Sequence, residues 1–210
     1  MIPPEVSNLS HLELIDLTDN YLNGTIPPQL GSITSLTNLS LSRNFLSGTI
    51  PKEIGNLANL IELGIHSNNL SGELPPELGN LKALRNLYLS SNRFTGEIPP
   101  TFQKLENLTE FSASSNGFTG KIPAGLGNLS KLEKLILQGT SLEGPIPSTF
   151  SNLTLIRDLR ISDITQGGSP WNFTLNLPNL QNLVLRNNFI TGTIPGEIKA
   201  TKLQALKEYR

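Results

Sequence analysis

Cysteine is absent from all 210 residues, which excludes a disulfide framework and any thiolate metal site. Histidine occurs only at His11 and His66, with no His-Glu-x-x-His segment, so no metal centre is expected. No apolar run approaches the roughly 18 residues needed to cross a bilayer. The first ten residues lack the basic start and apolar stretch of a secretory leader. Neither sign of charge dominates: 16 Lys and Arg face 17 Asp and Glu, a net charge of -1, which offers no basic stripe for nucleic acid. Taken alone, the missing thiols point to a reducing compartment.

Signals of catalysis are equally scarce. The stretch "GFTGK" at residues 117–121 fails as a phosphate loop, because its spacing is wrong and Ile122 stands where Ser or Thr is required. There is no Gly-rich loop followed by Val-Ala-Ile-Lys and no His-Arg-Asp segment, and the carboxylates form no evident acid–base pair. No catalytic residue and no cofactor is expected. What remains is 37% hydrophobic and 16% charged, enough to build a core and too apolar for a disordered chain.

What the chain does contain is a sentence spelled repeatedly. "NYLNGTIPPQLG" at 20–31 returns as "NFLSGTIPKEIG" at 44–55, and the period of 24 persists. Asparagine marks it at Asn20, Asn44, Asn68, Asn92, Asn116 and Asn188, with Thr140 and Ile164 as the exceptions. An apolar residue stands eight before each mark and another three before it, and glycine stands four after, from Gly24 to Gly192. An Ile-Pro pair usually follows, as in Ile26-Pro27.

The spelling dictates the physics of one turn. The alternating end of L-x-x-L-x-L predicts a short strand, inward and outward by turns, stacked about 4.8 Å from its neighbours in a parallel sheet. A buried Asn can satisfy loop backbone groups that the coil hides from water. Glycine permits the bend, and proline sets φ where the chain turns to the outer side. One turn cannot bury its apolar face alone, so each must fit the next. The expectation is an α/β-type, mainly parallel-β solenoid of about eight 24-residue repeats, with a curved concave sheet and an irregular or 3-10 convex side.

The pattern LxxLxLxxNxLxGxIPxxLGxL resembles the plant-type leucine-rich repeat from Ile2 to about Ile198. This form is most similar to the extracellular portion of plant receptor-like serine/threonine kinases. The odd seventh repeat, "LRISDITQGGSPWNFTLNLPNLQNLVLRN", resembles members whose repeats precede a malectin-like domain. The resemblance implies a binding domain on the extracellular side of the plasma membrane. It would recognise a peptide, glycan or protein ligand and a co-receptor, with the kinase lying outside these residues. The alternative is a secreted, non-signalling repeat protein, such as an inhibitor of cell-wall-degrading enzymes.

Residues 2–9 align with 26–33, so the chain is expected to open inside a turn. Residues 1–200 are read as one repeat domain without caps, and 201–210 as a charged, helix-compatible tail. Solenoids need polar caps, so a piece of a longer product is favoured over a stand-alone short repeat protein.

Outward strand positions should line the concave face, where solenoids bind. Its middle reads as flat and rich in hydroxyls. Two spots stand out. Tyr88 with His66 makes an aromatic–imidazole anchor, Tyr being enriched at binding hot spots; the alternative is an ordinary half-exposed strand residue. Lys134, Ile136, Arg160, Val184 and Arg186 make a mixed apolar and basic patch whose arginines can clamp a carboxylate; the alternative is a solvated rim. His66 is read as a surface residue rather than a pH switch. Glycan acceptors of the form Asn-x-Ser/Thr occur at Asn8, Asn23, Asn38, Asn69, Asn107, Asn128, Asn152 and Asn172. The repeat word Asn-Leu-Ser accounts for part of that number, and loop and convex acceptors are expected to be used first. Trp171, in a repeat that has lost its Asn, is expected to plug the core or to present an aromatic contact, the plug being favoured.

Overall fold

The structure, a computed structural model, describes residues 1–171, 177–193 and 202–207. Nine short strands build one parallel sheet in chain order: Leu14–Asp16, Asn38–Ser40, Glu62–Gly64, Asn86–Tyr88, Glu110–Ser112, Lys134–Leu137, Asp158–Ser162, Asn182–Arg186 and Ala205–Lys207. Each residue pairs with its counterpart one turn on, as in Leu14↔Asn38 and Tyr88↔Ser112. This curved sheet is the concave face of a solenoid. Its inward residues, Leu39, Leu63, Leu87, Phe111, Leu135, Leu159 and Leu183, form one continuous buried row.

The expectation of a tail after residue 200 is revised over Ala205–Lys207, which add a strand beside Asn182–Val184. An open sheet edge offers unpaired N–H and C=O groups, and Leu206 sits opposite Leu183. Thr201 and Ile198, where the register was expected to fail, lie outside the described residues.

On the opposite side the chain makes 3-10 turns, and no α-helix occurs among the described residues. Seven turns are described, from Pro4–Asn8 to Ser148–Asn152. Each is entered from a proline in extended conformation, for instance Pro75 at φ -64 and ψ 129, because the ring presets φ and needs no donor. The glycine of each Leu-Gly or Ile-Gly pair is there for closeness. A Cβ at Gly55 or Gly79 would lie 2.4 or 2.6 Å from the carbonyl oxygen of Glu77 or Thr101 in the next turn. Where the glycine is replaced by Gln103, the next turn carries Gly125 beneath it, whose added Cβ would meet the Gln103 amide at 2.7 Å.

A second parallel sheet, absent from the sequence reading, joins Asn23–Gly24, Phe45–Gly48, Asn69–Glu73, Arg93–Gly96 and Gly117–Phe118 on the flank. Beyond it, among the described residues, the parallel pairing is reduced to a single bridge, Lys121↔Glu143, and to a separate two-stranded pair of Ser169–Pro170 with Ile190–Thr191. Pro145 then stands where earlier turns carry Glu97 and Lys121, and it has no N–H to give.

Between the sheets runs the asparagine ladder. The Asn92 amide donates to Ile65 O at 3.0 Å in the previous turn and to Leu89 O at 3.1 Å in its own. Its Oδ1 accepts Leu70 N–H at 3.0 Å. Asn44, Asn68 and Asn116 repeat this pattern. Beyond the breaks in the series at Thr140 and Ile164, two serines tie neighbouring turns at other backbone groups: Ser162 Oγ accepts Gly139 N–H at 3.2 Å and Ser169 Oγ accepts Ile146 N–H at 2.9 Å. Trp171 is buried in the core of this repeat, 5% exposed. No buried side-chain polar atom among the described residues lacks a partner.

Removing a ladder amide strands buried backbone groups, so Asn92→Ala should cost about 2–4 kcal/mol, whereas Asn20→Ala, at an exposed position, should cost under about 1 kcal/mol. Urea unfolding of both variants checks this; equal midpoints would show that the ladder does not stabilise the coil.

Candidate functional site on the concave face

The outward positions of the strands carry a diagonal chain of polar contacts. Ser42 Oγ and His66 Nδ1 lie 2.8 Å apart. The His66 ring meets Tyr88 edge to face, with centroids 6.3 Å apart and planes at 86°. The Tyr88 hydroxyl donates to Glu110 Oε2 at 2.9 Å, and Lys134 Nζ approaches the same oxygen at 3.5 Å. Each step moves one turn along the solenoid while the contact drifts towards the strand starts, so residues from five turns form one line. Burial, then the Glu110 hydrogen bond and its charge, raise the Tyr88 pKa well above the usual phenol range. Tyr88 is therefore neutral and held as a donor.

His66 is half-buried on the concave face, its ring flanked by Ser42 and Tyr88. Burial lowers its pKa, the Arg43 charge adds to the effect, and Asp19 opposes it.

The second spot is brought together by register: Ile136, Arg160 and Val184 are direct partners across three strands, and Arg186 stands opposite Ser162. Its cations face carboxylates. The Arg160 fork closes on Asp158 at 2.7 and 2.8 Å. Lys134 faces Glu110, and the Arg186 charge helps to lower the pKa of Asp163, mainly fixed by a hydrogen bond from Ser162. Glu62, Glu110 and Asp158 are the residues that sequence reasoning missed. They open their strands, two positions before the outward row that was read, and the same alternation would have found them.

The acceptors Asn8, Asn23, Asn69, Asn128 and Asn152 are exposed, while Asn38 and Asn107 are half-buried. Asn107 donates to Lys82 O at 2.8 Å and accepts from Lys131 Nζ at 2.6 Å. Asn38 opens the concave strand Asn38–Ser40 and accepts from Thr37 Oγ1 at 3.0 Å. Asn172 lies outside the described residues. No group of acidic or imidazole side chains that could hold a metal occurs among the described residues.

The Leucine Rich Repeat family model matches residues 11–33, 35–57, 59–81, 83–105, 107–129, 131–153 and 179–200. The chain belongs to the leucine-rich-repeat family. A comparison with curated protein sequences finds no match. Among solved structures, this leucine-rich-repeat chain resembles the ectodomain of the plant membrane receptor kinase GASSHO1/SCHENGEN3 from Arabidopsis thaliana, in complex with Casparian strip integrity factor 2. That match has 34% identity and a TM-score of 0.90 over 94% of this chain and 24% of that one. It also resembles the Arabidopsis receptor kinase HAESA, in complex with the peptide hormone IDA and the co-receptor SERK1, at 32% identity and TM-score 0.78 over 88% of this chain and 32% of that one. A plant ice-binding protein matches at 28% identity and TM-score 0.79, over 99% of this chain and 66% of that one. The chain thus spans about a quarter to a third of the receptor chains it matches. Repeats of this kind are a binding module. No helix among the described residues is long and apolar enough to cross a membrane.

The His66 environment makes a pH prediction. Its folded pKa lies below the ordinary 6.5, so between that value and the folded one the unfolded chain binds more protons. Stability should therefore fall as the pH drops through this window, and His66→Gln should flatten that part of the curve. Denaturation midpoints measured at pH steps from 7 to 5 test it; an unchanged slope in the variant would remove His66 from the acid sensitivity.

Proposed function

We propose that this chain is a ligand-recognition segment from the extracellular side of a plant plasma-membrane receptor-like kinase. Its concave face takes a peptide, glycan or protein ligand, and a co-receptor docks on the shared surface. The observation that carries this reading is the diagonal Ser42–His66–Tyr88–Glu110–Lys134 line, a preorganised polar track with an aromatic anchor at its centre. From His66 to Lys134 the track crosses three strand spacings, roughly 15 Å, which an extended peptide covers with four to five residues. Likeness to ectodomains in complex with a peptide hormone and a co-receptor supports the peptide class. Ile136 and Val184 on either side of Arg160 supply an apolar landing beyond the track, with Arg186 at its rim. The irregular stretch 159–187 is the feature that supports placing the receptor among those with a malectin-like domain after the repeats.

A second reading, a secreted non-signalling repeat protein, is supported by the likeness to a plant ice-binding protein over nearly the whole chain. The two readings separate experimentally. In a displayed library of secreted plant peptides, the chain should enrich a defined class. Tyr88→Ala should weaken the enriched peptides about 30-fold or more, and Arg160→Ala with Arg186→Ala should weaken them by a smaller factor. Enriched peptides that bind every variant equally would move the site off the concave face. An inhibition of ice growth with no peptide enriched would favour the second reading.

A further inference from the structure

Tyr21 and Phe45 lie away from both the core and the concave face, on the outer side of the second sheet, 88% and 55% exposed. Their rings stack at 6.1 Å between centroids with only 15° between planes. Exposed aromatics in an ordered pair leave a flat apolar surface in water, and large open apolar surface ordinarily has an occupant.

The local geometry names one. Over residues 21–25 exposure alternates: Tyr21, Asn23 and Thr25 face solvent, while Leu22 packs on the core. Tyr21, Asn23 and Thr25 therefore share one face. The strand Asn23–Gly24 pairs with Phe45–Gly48 so that Asn23 stands directly against Phe45. Asn23 thus has one ring two residues before it, just ahead of its own short strand, and the other across the ladder. Asn23-Gly24-Thr25 is also a glycan acceptor. Gly24, at φ 81, turns the chain in a region that disfavours side chains, and so holds Asn23 at an exposed bend. Asn107, by contrast, has both ends of its amide engaged by neighbouring turns.

We propose that Tyr21 and Phe45 form a platform for the first N-acetylglucosamine residues of a glycan on Asn23, which packs on the second sheet as part of the folded surface. A pyranose presents a face of C–H groups, and its N-acetyl group adds a methyl. Both suit the electron-rich face of an aromatic ring and bury apolar area against it. In the modification itself, Asn23 Nδ2 attacks C1 of a lipid-diphosphate-linked oligosaccharide. The N–C1 bond forms as the C1–O bond breaks, the diphosphate leaves with the electron pair, and one amide proton passes to solvent. The inference goes beyond the ligand-binding reading and does not depend on the concave site. It needs only passage through a secretory compartment, which the test supplies.

The full chain is directed into the secretory pathway of plant cells by a cleavable leader, and glycopeptides are quantified by mass spectrometry. Asn69 and Asn128, both exposed acceptors, serve as references in the same molecule. Asn23 should be occupied, and the acetyl-methyl protons of its first sugars should show ring-current upfield shifts. Those shifts should vanish in the Tyr21→Ser, Phe45→Ser double variant while Asn69 and Asn128 occupancy stays unchanged. Thr25→Ala, which removes the glycan and keeps both rings, should lower the melting temperature in the wild-type background and not in the double variant. An unmodified Asn23 beside modified Asn69 and Asn128 would overturn the proposal. So would unshifted acetyl methyls in the wild type, a readout that stands even if the double variant does not fold.

Discussion

A coil made of backbone turns hides amides that water cannot reach, and the whole architecture depends on how they are satisfied. The side-chain amide of one asparagine per turn does most of this. It has donors for carbonyls of its own turn and the previous one, and an acceptor for an N–H of the previous turn, as at Asn92. To aim that amide inward the chain must bend sharply just before it, and the preceding residue adopts the left-handed region: Arg43 at φ 56, Ser67 at 55, Ser91 at 58, Ser115 at 54. The strand before the bend and the flanking strand after it are thereby fixed in direction. The concave and flank sheets are two consequences of one buried hydrogen-bonding group.

Closeness on the opposite side is the matching constraint. Turns whose backbones nearly touch at Gly55 and Gly79 accept no Cβ there. The pair Gln103 and Gly125 shows how the rule is relaxed: bulk moves to one turn and is given up by the next. Each substitution is answered by the nearest neighbour, as a one-dimensional stack requires. The seventh repeat keeps its turns tied by other side-chain contacts: Ser162 accepts Gly139 N–H and Ser169 accepts Ile146 N–H, each from the turn before.

Much of this was legible in the sequence, for a physical reason. Burial of the same side chain in every turn writes the same letter at a fixed spacing, so the concave strands, the ladder and the proline-led turns could be read directly. The flank sheet could not, because strands of two to five residues, such as Gly117–Phe118, carry no hydrophobic period of their own. The strand Ala205–Lys207 was missed because three residues with one apolar letter, Leu206, between Ala205 and Lys207 carry no repeat spelling, and its pairing comes from the edge it covers. Outward positions are free of the core, so the sequence could name Tyr88 and Arg160 as exposed but not their partners. Those partners, Glu110 and Asp158, depend on side-chain reach along and across strands.

On the proposed ligand-binding reading, that freedom of the outward positions also sets what the concave face would select. Glu110 already accepts from Tyr88 and faces Lys134, so it has little left for a ligand cation. Asp158 is likewise taken by both arms of Arg160. Glu62, whose contact is a long 3.4 Å hydrogen bond from Asn86, lies one strand before Tyr88 and is the carboxylate whose partner is most easily displaced. A ligand lying on the track would therefore meet an acceptor at Glu62, an aromatic at Tyr88 and a positive end towards Arg186. Such a polarity distinguishes the two directions of an extended peptide. The hydroxyls between these points stay paired with each other, as Ser90 and Ser112 do at 2.6 Å, so they resist binding that does not replace those bonds. Direction and selectivity of the proposed ligand site would thus come from which polar groups the fold has already satisfied.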